Sequence, residues 1–176
     1  MNKNALRVAA GVAVAVIALA VGVVVRQTSI GERRQGVLEL QQLVLPDPQG
    51  KSQALTQWRG KVLVVNFWAT WCDPCREEVP ALVRVQRKQA DHGVQVVGIG
   101  VDSADKIRDF ASKYQINYPL TVAGIKVIDT SRKLGNSVGG LPFTVILDRN
   151  GDLAATHLGG LTEAQLEQLL KPLLAS

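Results

Sequence analysis

The stretch KVLVVNFWATWCDPCREEVP, residues 61–80, constrains the fold more than any other part of the chain. Residues 61–69 form a continuous apolar run, which is typical of a central parallel strand buried on both faces. From Pro74 to about Gln89, apolar side chains recur with helical periodicity. A buried strand that leads within a few residues into an amphipathic helix predicts an α/β fold, in which helices cover the sheet.

The remaining apolar segments continue this alternation to the end of the chain. A short strand that ends in the turn PDPQG and a helical turn are predicted before residue 61. Further strands are predicted at 94–102, around 120–122, at 143–148 and, after the hairpin signal Asn150-Gly151, at 152–158. Further helices are predicted at 104–114, around 129–134, and from Thr162 onward. The order β-α-β-α-(β)-β-β-α predicts a mixed central sheet with helices on both faces.

The amino-terminal region is apolar and differs from the rest of the chain. From Val8 to Val25 it carries no charged or strongly polar residue. A helix over this run would be about 27 Å long, close to the ~30 Å of a bilayer core. We expect residues 1–7 to be a short cytoplasmic amino terminus, 8–25 a transmembrane signal anchor, 26–36 a polar tether without periodicity, and 37–176 the folded domain.

Two alternatives for the apolar run stay open at this stage. The small-x-small sequence ALA at 18–20 is compatible with a cleaved signal peptide, although hydrophobic residues continue past it. A buried core helix is the other alternative, but no polar face interrupts the run. The predicted outcome is an uncleaved anchor.

The charge distribution excludes one class of function. The chain has a net charge of +5, yet from Val37 onward there are 15 Lys and Arg residues against 14 Asp and Glu residues. The excess positive charge therefore lies around the apolar run, and the folded part is nearly neutral. A nucleic-acid-binding surface would need a basic stripe in the folded part, so no nucleic-acid partner is expected.

Cys72 and Cys75 are the only cysteines, and their spacing points to reactivity. A structural disulfide stabilises mainly by closing a long loop, and this pair would close almost none. Structural zinc needs four ligands, whereas His92 and His157 lie far apart in sequence, so no metal is expected. Cys72 precedes the predicted helix, where exposed N–H groups and the helix dipole stabilise a thiolate. We therefore expect Cys72 to attack and Cys75 to resolve.

The segment VVNFWATWCDPCREEVP resembles the active-site segment of the thioredoxin superfamily, and most closely its TlpA/ResA-like branch. The buried strand, Trp68, Trp71, Pro74 and Pro80 carry this resemblance, and it continues through GIGVDSADKIRDFASKYQINYPL and GGLPFTVILDRNGDL. It covers about residues 37–176. The resemblance implies a thioredoxin-like fold and a thiol-disulfide oxidoreductase whose redox-active disulfide joins Cys72 and Cys75, with no cofactor.

The same resemblance assigns roles to residues near the cysteines. Pro142 corresponds to the cis-proline that faces the disulfide in this fold, and the backbone of Leu141 is expected to pair with a substrate strand. Independently of the resemblance, Trp68 and Trp71 are expected to be packing residues, with shielding of the disulfide and contact with substrate as a further role for Trp71. Together, Trp71, Leu141 and Pro142 are the predicted substrate-binding residues.

One position departs from thioredoxin itself, which carries a buried aspartate six residues before its first cysteine. Here that position is Asn66, which cannot titrate. Glu78 matches a glutamate that ResA-like proteins carry near the disulfide, and it lies one helical turn beyond Cys75. Glu78 is therefore the predicted acid–base residue. The alternative is a solvated helix carboxylate, as expected for at least one of Glu77 and Glu78.

The predicted function is a membrane-anchored disulfide reductase in the bacterial periplasm, because disulfides persist outside the cytoplasm. The expected partners are disulfide-bonded protein substrates, with apocytochrome c as one candidate, and a DsbD-type membrane thiol carrier as electron donor. General disulfide reduction and cytochrome c maturation are not distinguished. The alternative from another class is a non-catalytic module on the same fold that binds Cu(I) or acts as a chaperone.

Overall fold

The computed structural model describes residues 3–175; within the amino-terminal helix, the side chains of 3–12, 14, 15 and 25 lie outside this description. The helices are α1 (Lys3–Gln42), α2 (Asp73–Gln89), α3 (Ala104–Lys113), α4 (Val127–Lys133) and α5 (Glu163–Leu174). The strands are β1 (Val44–Pro46), β2 (Ser52–Ala54), β3 (Val62–Trp68), β4 (Val94–Gly100), β5 (Leu120–Val122), β6 (Phe143–Leu147) and β7 (Leu153–Leu158). Short 3-10 turns cover Leu55–Trp58 and Ala90–His92.

The predicted mixed sheet is confirmed. Its strand order is β5-β4-β3-β6-β7, with β3 parallel to β4 and β4 parallel to β5. Strand β6 pairs antiparallel with β3 and with β7, while β1 and β2 form a separate antiparallel pair. Strand β3 is therefore central, and the segment that follows it, with both cysteines, emerges from the middle of the sheet.

The core lies on both faces of this sheet, as the apolar composition of β3 and β4 predicts. Every residue of β3 and β4 is buried. On one face, Trp68 and Leu82 belong to a cluster that also contains Cys72 and Cys75. On the other face, Phe67 and Phe143 pack with their ring centroids 6.1 Å apart. The cysteine pair is thus part of the hydrophobic core on one face of the sheet.

Segment 26–36, predicted as a tether without periodicity, is instead helical and belongs to α1. It contains no proline, and its Glu, Arg and Gln residues favour helix. The end of α1 also docks against α4: a Cβ at Gly36 would lie 2.9 Å from Lys133 Cβ, and Lys133 forms an ion pair with Glu39 at 2.5 Å. Helix propensity and the contacts with α4 extend the helix to Gln42. The polar composition of the segment predicts neither of these two effects.

Smaller corrections concern the segments around α1 and α4. The strand predicted before the turn PDPQG begins only at Val44, because Leu40 is buried as part of α1, which ends at Gln42. Residues 52–54 form strand β2, and only Leu55–Trp58 form the predicted helical turn. Within the part of the chain that the structure describes, no helix combines the length and the apolar character needed to cross a bilayer. The predicted span 8–25 falls partly on side chains outside that part.

Candidate active site

Cys72 and Cys75 form a disulfide at the amino-terminal end of α2, with the sulfurs 2.09 Å apart and the Cα atoms 5.2 Å apart. Cys72 is the N-cap residue of α2, and its Sγ accepts a hydrogen bond from the Cys75 N–H at 3.3 Å. Pro74 occupies the first turn of the helix, where a missing N–H has no consequence. This is the position at which the helix dipole stabilises a thiolate after reduction.

The two cysteines differ in access to solvent. The Cys72 residue is 6% exposed, whereas Cys75 is 0% exposed. A groove of about 640 Å³ lies beside Cys72. Its lining residues are Trp71, Cys72, Pro74, Ile125, Lys126, Ile128, Asp129, Arg132, Gly139, Gly140 and Leu141. The structure therefore brings the predicted residues Trp71 and Leu141 together at the more accessible sulfur.

Trp71 and Trp68 occupy opposite environments although they are close in sequence. Trp71 is 64% exposed at the groove, while Trp68 is buried and packs against Phe110 with the ring centroids 4.7 Å apart and the planes tilted by 44°. Leu141 is half-buried and is followed by a cis peptide bond to Pro142, as the resemblance implies. The Pro142 carbonyl accepts a hydrogen bond from the Gly159 N–H at 2.9 Å, which connects this segment to the end of β7.

Glu78 is a buried residue of α2, three residues after Cys75, and Glu77 is exposed. The Glu78 residue is 3% exposed. Its Oε1 accepts a hydrogen bond from Asn66 Nδ2 at 2.7 Å, and its Oε2 accepts one from the Leu161 N–H at 3.1 Å. Among the two candidates, Glu77 is thus the solvated helix carboxylate and Glu78 is the enclosed one.

Burial raises the pKa of Glu78 from 4.5 to about 7. The hydrogen bonds from Asn66 and from the Leu161 backbone stabilise the ionised form and oppose this rise in pKa. The net result is a carboxyl group that titrates near neutral pH. A group with such a pKa can both accept and return a proton under physiological conditions.

Asn66 is the residue whose role the sequence did not reveal. It is recognisable as a polar residue inside an apolar strand, and it cannot titrate. In the structure, its Nδ2 donates to Glu78 Oε1 and also lies 3.1 Å from Thr144 Oγ1 on the neighbouring strand β6. Asn66 therefore links the Glu78 carboxylate of α2 to β3, the central strand of the sheet.

A second polar contact missed at the sequence level supports the loop between β3 and α2. The Thr70 hydroxyl donates to Asp102 Oδ2 at the end of β4, and the Asp102 Oδ1 accepts from the Ser103 N–H at 2.8 Å. Burial acts to raise the pKa of Asp102, but the hydrogen bonds from Thr70 and the Ser103 N–H and the nearby Lys106 together lower it below its ordinary value. These contacts fix the segment immediately before Trp71 and Cys72.

No ligand role is expected for the two histidines, and neither lines the groove beside Cys72. His92 lies in the 3-10 turn after α2, where its Nδ1 is 3.3 Å from the Lys88 carbonyl oxygen, and His157 is on the edge strand β7. Over the described residues 3–175, no three or more His, Cys, Asp or Glu side chains are grouped to hold a metal ion.

Known proteins share both this fold and this sequence pattern. Residues 39–156 match the AhpC/TSA family. A protein named thiol-disulfide oxidoreductase ResA from Bacillus thuringiensis (strain Al Hakam) is 32% identical over 142 residues, which are 80% of this chain and 79% of that protein. The thioredoxin-like protein YneN of Bacillus subtilis (strain 168) is 35% identical over 127 residues, covering 69% and 70% of the two chains.

A solved structure supports the same assignment. The crystal structure of a thiol:disulfide interchange protein of the thioredoxin family from Chlorobium tepidum TLS matches with a TM-score of 0.68 and 28% identity. The match covers 75% of this chain and 92% of that one. Combined with the cysteine pair at the start of α2, these similarities show that the chain belongs to the AhpC/TSA family of thioredoxin-like proteins and is a thiol-disulfide oxidoreductase.

Proposed function

We propose that the protein is a membrane-anchored disulfide reductase that acts in the bacterial periplasm through Cys72 and Cys75. The observation that supports the redox activity is the arrangement of two cysteines and a carboxyl group at the start of α2. The accessible Cys72 lies at a helix amino terminus, the enclosed Cys75 is its disulfide partner, and a carboxyl group with a pKa of about 7 lies on the same helix. This series provides an attacking sulfur, a resolving sulfur and a proton acceptor.

The reaction begins with the reduced protein. The Cys72 thiolate attacks one sulfur of a substrate disulfide; the substrate S–S bond breaks, and the other substrate sulfur leaves as a thiolate that takes up a proton. Cys75 then loses its proton to Glu78 and attacks Cys72 Sγ. The mixed disulfide breaks, the second substrate thiolate leaves, and the Cys72–Cys75 disulfide forms. Two electrons have passed from the protein to the substrate.

The groove supplies the substrate-binding part of the proposal. Trp71 offers an exposed aromatic face beside Cys72, and Leu141 precedes the cis bond to Pro142 at the same groove. The substrates are proteins with accessible disulfides, apocytochrome c among them. A membrane dithiol carrier of the DsbD type returns two electrons to the Cys72–Cys75 disulfide after each cycle.

The location is proposed from sequence. The uncharged run 8–25 is flanked by Lys3 and Arg7 on one side and by Arg26 on the other, which suits a single-pass signal anchor in the inner membrane. Mass spectrometry of the mature protein together with membrane sedimentation tests this part. An intact amino terminus in the membrane fraction supports the anchor, and a soluble protein that begins near Val21 contradicts it.

The activity is tested by following the reduction of a protein disulfide with dithiothreitol as donor. We expect turnover by the wild-type protein and a trapped, covalently linked substrate with Cys75→Ser, since this variant can attack but cannot resolve. A protein that binds Cu(I) through both thiols but neither turns over substrate nor forms the trapped species would be a binding module and not a reductase.

A further inference from the structure

A fully buried asparagine lies behind the groove that Cys72 borders. Asn136 is 0% exposed and follows α4 in the segment that leads to Leu141. Its Oδ1 accepts a hydrogen bond from the Gly140 N–H at 2.9 Å, and its Nδ2 donates to the Gly140 carbonyl oxygen at 2.8 Å. One side-chain amide thus fixes both backbone polar groups of the residue immediately before Leu141.

The same amide is tied to α4. Asn136 Nδ2 lies 3.0 Å from Ser131 Oγ, and the Ser131 hydroxyl donates to the Ile128 carbonyl oxygen at 2.8 Å. Ser131 is fully buried. Residues of α4 and residues 139–141 form two walls of the groove beside Cys72. The buried contact between Ser131 and Asn136 therefore connects the two walls of the groove, α4 and residues 139–141, on their interior side.

Leu141 is held between two fixed points of the backbone. It follows Gly140, whose N–H and C=O both bond to Asn136, and it precedes the cis bond to Pro142. It also lines the groove beside Cys72. The Leu141 N–H and C=O make no hydrogen bond within residues 3–175, the part of the chain that the structure describes. They are available to a segment that enters the groove.

We propose that Asn136 is a positioning residue for substrate: it holds the Gly140–Leu141 backbone where an extended peptide can pair with Leu141 while its disulfide meets Cys72. This inference rests on the proposed reductase function. If Asn136 has this role, its loss should affect polypeptide disulfides and small disulfides differently. A disulfide within a polypeptide needs backbone pairing at Leu141, whereas a small disulfide such as 2-hydroxyethyl disulfide has no backbone to pair and needs only Cys72.

The experiment measures kcat and KM of Asn136→Ala with two substrates, a peptide disulfide and 2-hydroxyethyl disulfide, with dithiothreitol as donor. For the peptide we expect kcat/KM to fall about tenfold, mainly through KM, as for the loss of one or two hydrogen bonds of ordinary strength. For the small disulfide we expect a change of less than about twofold, because the sulfurs and Glu78 are unaltered.

The matched control is Gln86→Ala. Gln86 is also a buried amide that bonds to backbone, accepting from the Val96 N–H at 2.7 Å, but it lies at the other end of α2, away from the groove. We expect Gln86→Ala to lower stability without separating the two substrates. An equal fall in kcat/KM for both substrates with Asn136→Ala, or no fall with either, would overturn the inference.

Two further outcomes are distinguishable. If Asn136→Ala does not fold, Ser131→Ala decides, since it removes only the Asn136–Ser131 and Ser131–Ile128 contacts; we expect the same substrate separation at about threefold, and its absence contradicts the inference. If the wild-type protein reduces neither substrate, the proposed reductase function fails instead, and Asn136 has no substrate to position.

Discussion

The two sides of the Cys72–Cys75 disulfide differ in solvent access and in polar content. On the side of α2 and β3, Glu78 and Asn66 are enclosed and bonded to each other at 2.7 Å. On the groove side, Trp71 and Ile125 are large apolar side chains that are exposed to solvent. The residues around the disulfide therefore include a buried polar contact on one side and an open apolar surface on the other.

This difference separates two tasks that a thiol-disulfide oxidoreductase must perform at the same atoms. Enclosure raises the pKa of Glu78 to about 7, which exposure to water would prevent. Exposed apolar side chains at the groove offer contact area to a substrate, and enclosing them would remove that area. Variants on the enclosed side are expected to change the proton transfer for every substrate, and variants at the groove to change binding for peptides only.

The largest effect is expected from the cysteines, which the two sides share. Cys72→Ser should abolish reduction of every disulfide, because the attacking sulfur is lost.

In the reduced wild-type protein, iodoacetamide should label Cys72 much faster than Cys75, since Cys72 is the more accessible sulfur at the helix amino terminus. Mass spectrometry after timed alkylation measures both rates. Equal rates would remove the distinction between attacking and resolving cysteines.

A smaller but still large effect is expected for Glu78→Gln. Without the carboxylate, the step in which Cys75 attacks the mixed disulfide should slow by up to about 10²-fold, for peptide and small disulfides alike. Removing a nearby negative charge should also shift the pH profile of thiol reactivity to lower pH. Stopped-flow measurement of the resolving step, with both substrates and across pH, tests this prediction.

Glu77→Gln is the control, because Glu77 lies next to Glu78 in sequence but on the solvent side of α2. It should leave both the resolving rate and the pH profile unchanged. If the two variants behave alike, the enclosed side does not supply the proton acceptor, and water must carry the proton.

The stability of the protein should also depend on pH through Glu78. Its pKa in the folded protein, about 7, is above the ordinary value of 4.5, so the folded state binds this proton more tightly than the unfolded state does. The resulting stabilisation is fully present below pH 4.5 and is lost as pH rises through 7; it amounts to about 3 kcal/mol. Urea unfolding at pH 5 and pH 8 should show this loss in the wild type and not in Glu78→Gln.

Much of the enclosed side could be predicted from sequence because it is built from periodic elements. The apolar run of β3 marks a central strand, and the spacing of Cys72, Cys75 and Glu78 places them one turn apart along α2. The sequence also identified Asn66 as a position that cannot titrate. It could not show that Asn66 bonds to Glu78, since that contact depends on how α2 packs over the sheet.

The groove side was predictable only in part. Pro142 and Leu141 followed from the resemblance, and the bond between them is cis as expected. The contacts of Asn136 with Gly140 were not predicted, because segment 134–142 is irregular and has no period from which side-chain directions can be read. The helical conformation of 26–36 was also missed, because its polar sequence was read as irregular and the docking of Gly36 against Lys133 involves a part of the chain about 100 residues away.

At the groove, Trp71→Ala should have a moderate and selective effect. Removing the exposed ring should lower kcat/KM for a peptide disulfide by about tenfold, which corresponds to the loss of an aromatic contact of about 1.4 kcal/mol, and leave 2-hydroxyethyl disulfide nearly unaffected. Because Trp71 is largely outside the core, the free energy of unfolding should change by less than about 0.5 kcal/mol. Parallel kinetics and urea unfolding check both statements. An equal loss with both substrates would mean that Trp71 acts on the disulfide itself.

The smallest effect is expected for Asn66→Ala, and it tests whether the enclosed side acts as one unit. The hydrogen bond from Asn66 lowers the pKa of Glu78 against the effect of burial, so its removal should move that pKa further above 7. The pH midpoint of the resolving step should then rise, and at pH 7 the step should slow a few-fold. The variant should also lose more stability at pH 8, where the carboxylate is charged, than at pH 5.

Thr144→Val supplies the comparison for Asn66→Ala. It removes the other hydrogen bond of Asn66, that to Thr144 Oγ1, while the bond to Glu78 remains. If Asn66 acts by holding the carboxylate, Thr144→Val should lower stability but shift the pH midpoint less than Asn66→Ala does. Equal shifts would mean that the midpoint follows the packing of β6 against β3 and not the contact between Asn66 and Glu78. The titration of Glu78 would then be set by burial alone, and Asn66 would only fill the interior of the sheet.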